Sequence, residues 1–125
     1  MKYSILAIGC INSAIGVISK EVRFAQTIQA LKSYRAHFPK DTKIIFSDSS
    51  QIPEEWLNTI KTLVDYVILP DEVSLNYTKH GAKQEGETYQ IYNGLKVLQQ
   101  LPACDYIFKC GARDILIEYI KNKGS

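Results

Sequence analysis

Short apolar runs alternate along this chain with longer segments whose apolar residues recur at three- and four-residue steps. The runs are Lys2 to Gly9, Lys43 to Phe46, Tyr66 to Leu69, and the stretch that opens Tyr106-Ile107-Phe108. Runs this short, bounded by turn residues and rich in β-branched or aromatic side chains, read as strands. Between them, Phe24, Ile28, Leu31, Tyr34 and Phe38 make one helical stripe. Trp56, Leu57, Ile60, Leu63 and Val64 make a second, and Ile91, Tyr92, Leu95 and Leu98 a third. Ser19 can cap the first helix, with Glu21 in its first turn, and Pro39 ends it. Ile115, Leu116, Tyr119 and Ile120 fit a last helix, the favoured reading, and Ile115, Ile117 and Tyr119 fit a strand equally well, ahead of a frayed tail. Alternation of this kind predicts one three-layer α/β/α domain over residues 1–125, Rossmann-like, with a mostly parallel sheet. The segment Asp71 to Gln84 shows no period and reads as a long polar loop, with His80 at the surface. Gly86, near the next helix start, signals close approach of a neighbour to the backbone.

In open α/β sheets, ligands bind just outside the carboxyl ends of the strands. The stretch Asp105 to Asp114 is therefore the first place to look. Its apolar opening predicts a strand buried on both faces, and it turns abruptly into Lys109, Gly111, Arg113 and Asp114. Asn12 and Ser13 follow the first strand, and Asp48 stands at the end of the second. An acid in that place can accept hydrogen bonds from a ribose or base; alternatively, Asp48 or Ser50 caps the following helix, with Pro53 in its first turn. Arg23, Gln26 and Thr27 lie near the start of the first helix and could face the same end of the sheet. The pattern alone slightly favours a solvated first turn for them. Lys109 could equally pair with Asp48 or Glu87, and Arg113 and Asp114 could simply begin the last helix.

Several function classes are disfavoured by composition. A net charge of +2, with acids and bases interspersed, gives no footprint for nucleic acid. No apolar segment approaches the length of a membrane span. Neither a Gly-x-Gly-x-x-Gly fingerprint nor a phosphate-binding Gly-Lys-Ser/Thr loop occurs. The amino-terminal run reads as a first strand and not as a signal peptide. Cys10, Cys104 and Cys110 lack metal-ligand spacing and read as small buried residues, which fits a reducing, cytoplasmic setting. A reactive pair of Cys10 and Cys110 at the strand ends is the minor alternative.

Further motifs carry a resemblance. The chain has Ile11-Asn12 after the first strand, and Arg23-Phe24, Gln26-Thr27-Ile28, Ser33 and Arg35 in the first helix. It has Lys83, Gly86, Glu87 and Tyr89 at a later helix start, and Phe108, Lys109 and Arg113 at the last strand end. In that order and spacing they resemble a group of uncharacterised glycosyltransferase-like proteins of viruses, phages and bacteria. Lys43-Ile-Ile-Phe-Ser-Asp-Ser-Ser50 likewise resembles the start of GT-A-type glycosyltransferases. The resemblance implies the N-terminal half of a GT-A fold that binds a sugar nucleotide, with a glycan as acceptor. It also implies an Asp-x-Asp metal motif near the last strand end and a further half that builds the acceptor site. Here that strand end reads Lys-Cys-Gly-Ala-Arg-Asp, and the 125 residues do not include such a half. This points to a truncated or minimal transferase, or to a non-catalytic nucleotide- or glycan-binding domain within an assembly, with a homo-oligomer as one way to cover the open side.

Transfer from a sugar nucleotide expels a diphosphate, whose charge needs a metal or fixed cations. One acid beside two cations makes a poor magnesium site, so a metal-independent clamp of Lys109 and Arg113 is expected, without excluding Mg²⁺ or Mn²⁺. Asp48 would hold the nucleoside, and Asn12, Arg23 and Lys83 would line the substrate cleft. For a catalytic base, Glu87 and Asp114 are the available carboxylates, and nothing in the sequence singles out either.

Overall fold

The computed structural model describes residues 2–13 and 18–113. Four strands form one parallel sheet: β1 (Tyr3–Gly9), β2 (Lys43–Asp48), β3 (Tyr66–Ile68) and β4 (Tyr106–Gly111), in the order β3-β2-β1-β4. Helices α1 (Lys20–His37) and α2 (Glu54–Lys61) follow β1 and β2, and α3 (Glu72–Lys79) and α4 (Lys83–Leu98) lie between β3 and β4. The parallel α/β architecture is thus as expected. The expected last helix, together with Asp114, lies outside the described residues.

The strand alternation sorts side chains onto two cores. Ile5, Ala7, Ile44 and Phe46 point to one face and pack with Ala30, Leu31 and Tyr34 of α1 and Ile60 of α2. Phe24 and Trp56 stack across these helices with ring centroids 4.5 Å apart. Leu6, Ile8 and Ile45 point to the other face, against Ile91, Val97 and Leu98 of α4. Because the connections from β1 to β2 to β3 run one way and the return to β4 runs the other, right-handed crossovers place α1 and α2 on one face and α4 on the opposite one.

Arg35 latches the amino-terminal edge of the sheet. Its guanidinium donates to Leu63 O and Thr42 O and pairs with Asp65 at 2.8 Å, while Asp65 also accepts from the Ile44 amide. Ser19 caps α1 as expected, accepting from the Val22 amide. Pro53 takes the cap position of α2, and neither Asp48 nor Ser50 fills that role.

Four expectations are corrected. The segment after Pro70 is not an irregular loop: it holds α3, capped by Asp71, whose carboxylate accepts from the Ser74 amide and from the Tyr89 hydroxyl of α4. These bonds, the Tyr89 hydroxyl foremost, hold Asp71 below the ordinary carboxylate range. No apolar stripe announces α3 because the residue it buries is Ser74, with Thr78 hydroxyl donating to Ser49 O. The face of α4 is only half as expected. Ile91 and Leu98 pack on the sheet, but the fully buried residues are Gly86, Gln90 and Gly94, whereas Tyr92 and Leu95 are exposed. Thirdly, β4 is not buried on both faces. It is the outer strand of the described sheet, with Tyr106, Ile107 and Phe108 at 49%, 49% and 38% exposure. Its aromatic rings lean on one side only, against Tyr3 and Phe38. Finally, Cys10, Cys104 and Cys110 form no disulfide with one another and are only half-buried.

Gly94 is where α4 meets the sheet most closely. A Cβ there would stand 2.5 Å from Cδ1 of Leu6, itself 1% exposed. Overpacking of this kind costs about 1–3 kcal/mol, against a gain of about 1 kcal/mol in helix propensity for Ala over Gly. We expect Gly94→Ala to destabilise the domain, lowering the urea midpoint without changing the slope; an unchanged or raised midpoint would show that the contact is loose.

Candidate functional site

β1 is the strand from which the chain leaves in one direction, towards β2, and beside which it returns from the other, at β4. The carboxyl ends of β1 and β4 therefore flank a topological switch point, where open α/β sheets form a crevice. A cleft of about 500 Å³ lies there. Gly9, Cys10, Gly111 and Ala112 form its floor, Arg23 and Gln26 of α1 one wall, and α3, the α3–α4 turn and the start of α4 the other.

Each wall is held by identifiable bonds. The ends of the strands are tied by Ala112 N donating to Ile8 O at 2.8 Å and Ser49 N to Gly9 O at 3.1 Å. Tyr34 hydroxyl reaches from α1 to Gly111 O at 3.1 Å. Gln90 of α4 is buried, and its Nε2 lies 3.1 Å from both Gly9 O and Ser47 O. The α3–α4 turn is made by Gly81 at φ 68°, a conformation that favours glycine. Ala82 occupies the cap position of α4 and offers no side-chain bond, so no side chain closes that helix end, which faces the cleft.

Three cations line the cleft, each from a different element: Arg23 of α1, Lys83 of α4 and Arg113 beyond β4. Arg23 is not in a solvated turn. It donates to Cys10 O at 3.1 Å and Ile18 O at 3.3 Å, which turns its guanidinium over the β1 end. Arg113 donates to Oε1 of Gln26 at 3.3 Å. Among the described residues none of the three forms an ion pair with a carboxylate. Glu87 is the one described carboxylate on the cleft wall.

The other expected residues are elsewhere. Lys109 does not join Arg113: on β4 its side chain faces α4, where its Nζ lies 2.5 Å from Oε1 of Glu87, outside the cleft lining. The expected Lys109–Arg113 clamp is therefore not formed, and Lys83 supplies the second outer charge. Asp48 is 1% exposed and does not line the cleft. Its Oδ2 accepts from Ile11 N at 3.0 Å, and its Oδ1 accepts from Ser50 N at 2.8 Å and from the Ser50 hydroxyl. It is an internal tie between the loops after β1 and β2, with both oxygens engaged, and is not placed to hold a nucleoside. Asn12 turns to the same loop and does not line the cleft: its backbone amide donates to Ser50 Oγ and its Nδ2 to Gln51 O. Ser13 lines the cleft instead.

Gln26, one turn after Arg23 on the same helix face, lines the cleft, as one of its two sequence readings had it, although the pattern slightly favoured a solvated turn. Sequence reasoning missed Tyr77 and Gln90. Tyr77 and Gln90 depend on how α3 and α4 pack, and no local pattern marks them. Among the described residues, no group of three or more His, Cys, Asp or Glu side chains could hold a metal ion. No described helix is long and apolar enough to cross a membrane. Compared with models of protein families, with curated proteins and with solved structures, the chain matches none.

Burial pushes the Asp48 carboxyl up from its ordinary range, against the opposing pull of Ser50, Ile11 and Arg23. The folded chain therefore binds this proton more tightly than the unfolded chain does. Its contribution to stability is full below the unfolded value of 3.8 and is lost as pH rises through the folded value. Asp48→Asn removes that titration. In urea unfolding from pH 7 down to pH 4, the difference in stability, wild type minus variant, should shift towards wild type as pH falls; a constant difference would show that Asp48 keeps an ordinary carboxyl.

Proposed function

We propose that this domain binds a sugar nucleotide in the switch-point cleft, in the manner of a GT-A-type glycosyltransferase. The observation that carries the reading is the convergence of Arg23, Lys83 and Arg113 on a crevice whose far wall begins with an uncapped helix end. Three cations against one carboxylate select an anionic ligand. Backbone N–H groups at a helix start favour phosphate in particular, and guanidinium groups can grip it bidentately. A nucleoside diphosphate joined to a sugar supplies that charge, and the sequence motifs of the first helix and last strand support the family reading.

In the transfer itself, an acceptor hydroxyl oxygen forms a bond to the anomeric carbon. The bond from that carbon to the diphosphate oxygen breaks, and the nucleoside diphosphate leaves with the electron pair. The hydroxyl proton passes to a carboxylate, for which Glu87 is the group on the cleft wall. Arg23 and Arg113 neutralise the departing charge, the part that a divalent metal plays in other transferases. A second reading, binding without transfer, draws on one observation: the Glu87 carboxylate is already engaged by Lys109.

Calorimetric titration with UDP-, GDP- and CDP-sugars, with and without Mn²⁺, tests the proposal. The expected result is binding without metal that weakens about tenfold or more in Arg113→Ala, as the loss of a charge-assisted hydrogen bond requires. Failure of every nucleotide to bind would overturn the reading, and binding only with Mn²⁺ would overturn its cationic part.

A further inference from the structure

A second recess adjoins the cleft on the outer side of α4. It is lined by Tyr77, Gln84, Glu85, Glu87, Thr88, Tyr89, Ile91, Tyr92 and Lys109. Tyr77 and Glu87 belong to both linings, so these two side chains are the ridge between the recesses. The outer recess has the opposite charge balance: two carboxylates, Glu85 and Glu87, against one cation, Lys109. An anion suited to the cleft is therefore disfavoured here. Lys109 is paired with Glu87, so Glu85 alone adds charge beyond that ion pair and the pull on a cation is weak. What remains is neutral hydrogen-bonding groups on an aromatic bed. Tyr77 and Tyr89 lie with ring centroids 6.1 Å apart, and the Tyr89 hydroxyl is fixed by Asp71. Tyr92 is 58% exposed, and Lys96 Nζ stands 4.9 Å from its ring centroid, restraining how the ring is presented.

We infer that this recess is a subsite for a neutral pyranose chain, the acceptor side of the proposed transfer. The C–H faces of a pyranose pack on aromatic rings, while its hydroxyl groups meet donors and acceptors of mixed sign such as Gln84, Thr88, Glu85 and Lys109. The inference rests on the sugar-nucleotide reading for its role, and it gives that reading an acceptor within the chain's own residues. Glu87 then stands between donor and acceptor, where an acceptor hydroxyl would hand over its proton.

The test uses amide chemical-shift mapping of the whole 125-residue chain with neutral trisaccharides, maltotriose, cellotriose and chitotriose, at millimolar concentration, and with trilysine as a control. Tyr92→Ala is the variant of choice, because an exposed ring can be removed without disturbing the core. The expected result is saccharide-induced shifts along Gln84, Thr88 and Tyr92 that need about tenfold more ligand in Tyr92→Ala, with UDP-sugar affinity unchanged. Absence of saccharide shifts in this recess, shifts indifferent to Tyr92→Ala, or shifts from trilysine alone would each overturn the subsite. Nucleotide binding is read separately on the cleft residues. Its failure alongside intact saccharide binding would sink the donor reading and the acceptor role while leaving a sugar-binding groove.

Discussion

The carboxyl edge of the sheet depends on one buried carboxylate. Asp48 gathers the amides of Ile11 and Ser50 and the Ser50 hydroxyl, so the loops leaving β1 and β2 are fixed to each other at the point where both strands end. Buried backbone donors must find acceptors, and a loop that cannot continue the sheet ladder has few to offer. One side chain with two oxygens meets that need for two loops at once. The donor bonds offset part of the desolvation of the acid, and burial still leaves its carboxyl raised. With these loops fixed, β1 stops at Gly9, Arg23 can reach Cys10 O, and the cleft has a floor.

The amino-terminal edge has a matching device in Arg35. Its guanidinium spans Thr42, Leu63 and Asp65, segments that precede β2 and β3. Ser33 and Arg35 stood in the sequence beside motif residues of the proposed site, yet Arg35 serves the opposite end of the sheet. Shared helix membership does not imply shared function: Arg23 and Arg35 lie about three turns apart on α1 and act at different edges.

The strands and the first two helices were legible because their burial is apolar and periodic. What escaped was burial by other means. α3 packs through Ser74 and Thr78, and the fully buried residues of α4 are two glycines and Gln90, so hydrophobic periodicity registered no face for one and, for the other, found Ile91 and Leu98 but added the exposed Tyr92 and Leu95. The run Tyr106-Ile107-Phe108 misled in the reverse sense. Apolar content distinguishes strand from loop but not an inner strand from an outer one, because position in a sheet is a property of crossovers. Asp48 was correctly placed at a strand end, but its role turned on whether its oxygens looked outward or inward, and the sequence holds no sign of that. For Lys109 the alternation of side chains decided the matter: one residue beyond Phe108, it falls on the α4 face and meets Glu87.

Gln90 gives the cleft a property that its lining residues alone would not. Its buried amide joins the middle of α4 to the ends of β1 and β2, and Gly94, one turn on, seats the same helix against Leu6. The wall bearing Lys83 and Glu87 is thereby anchored to the floor bearing Gly9. A wall tied to the floor in this way has little left to arrange, and a ligand that bound between them would lose less freedom in settling there.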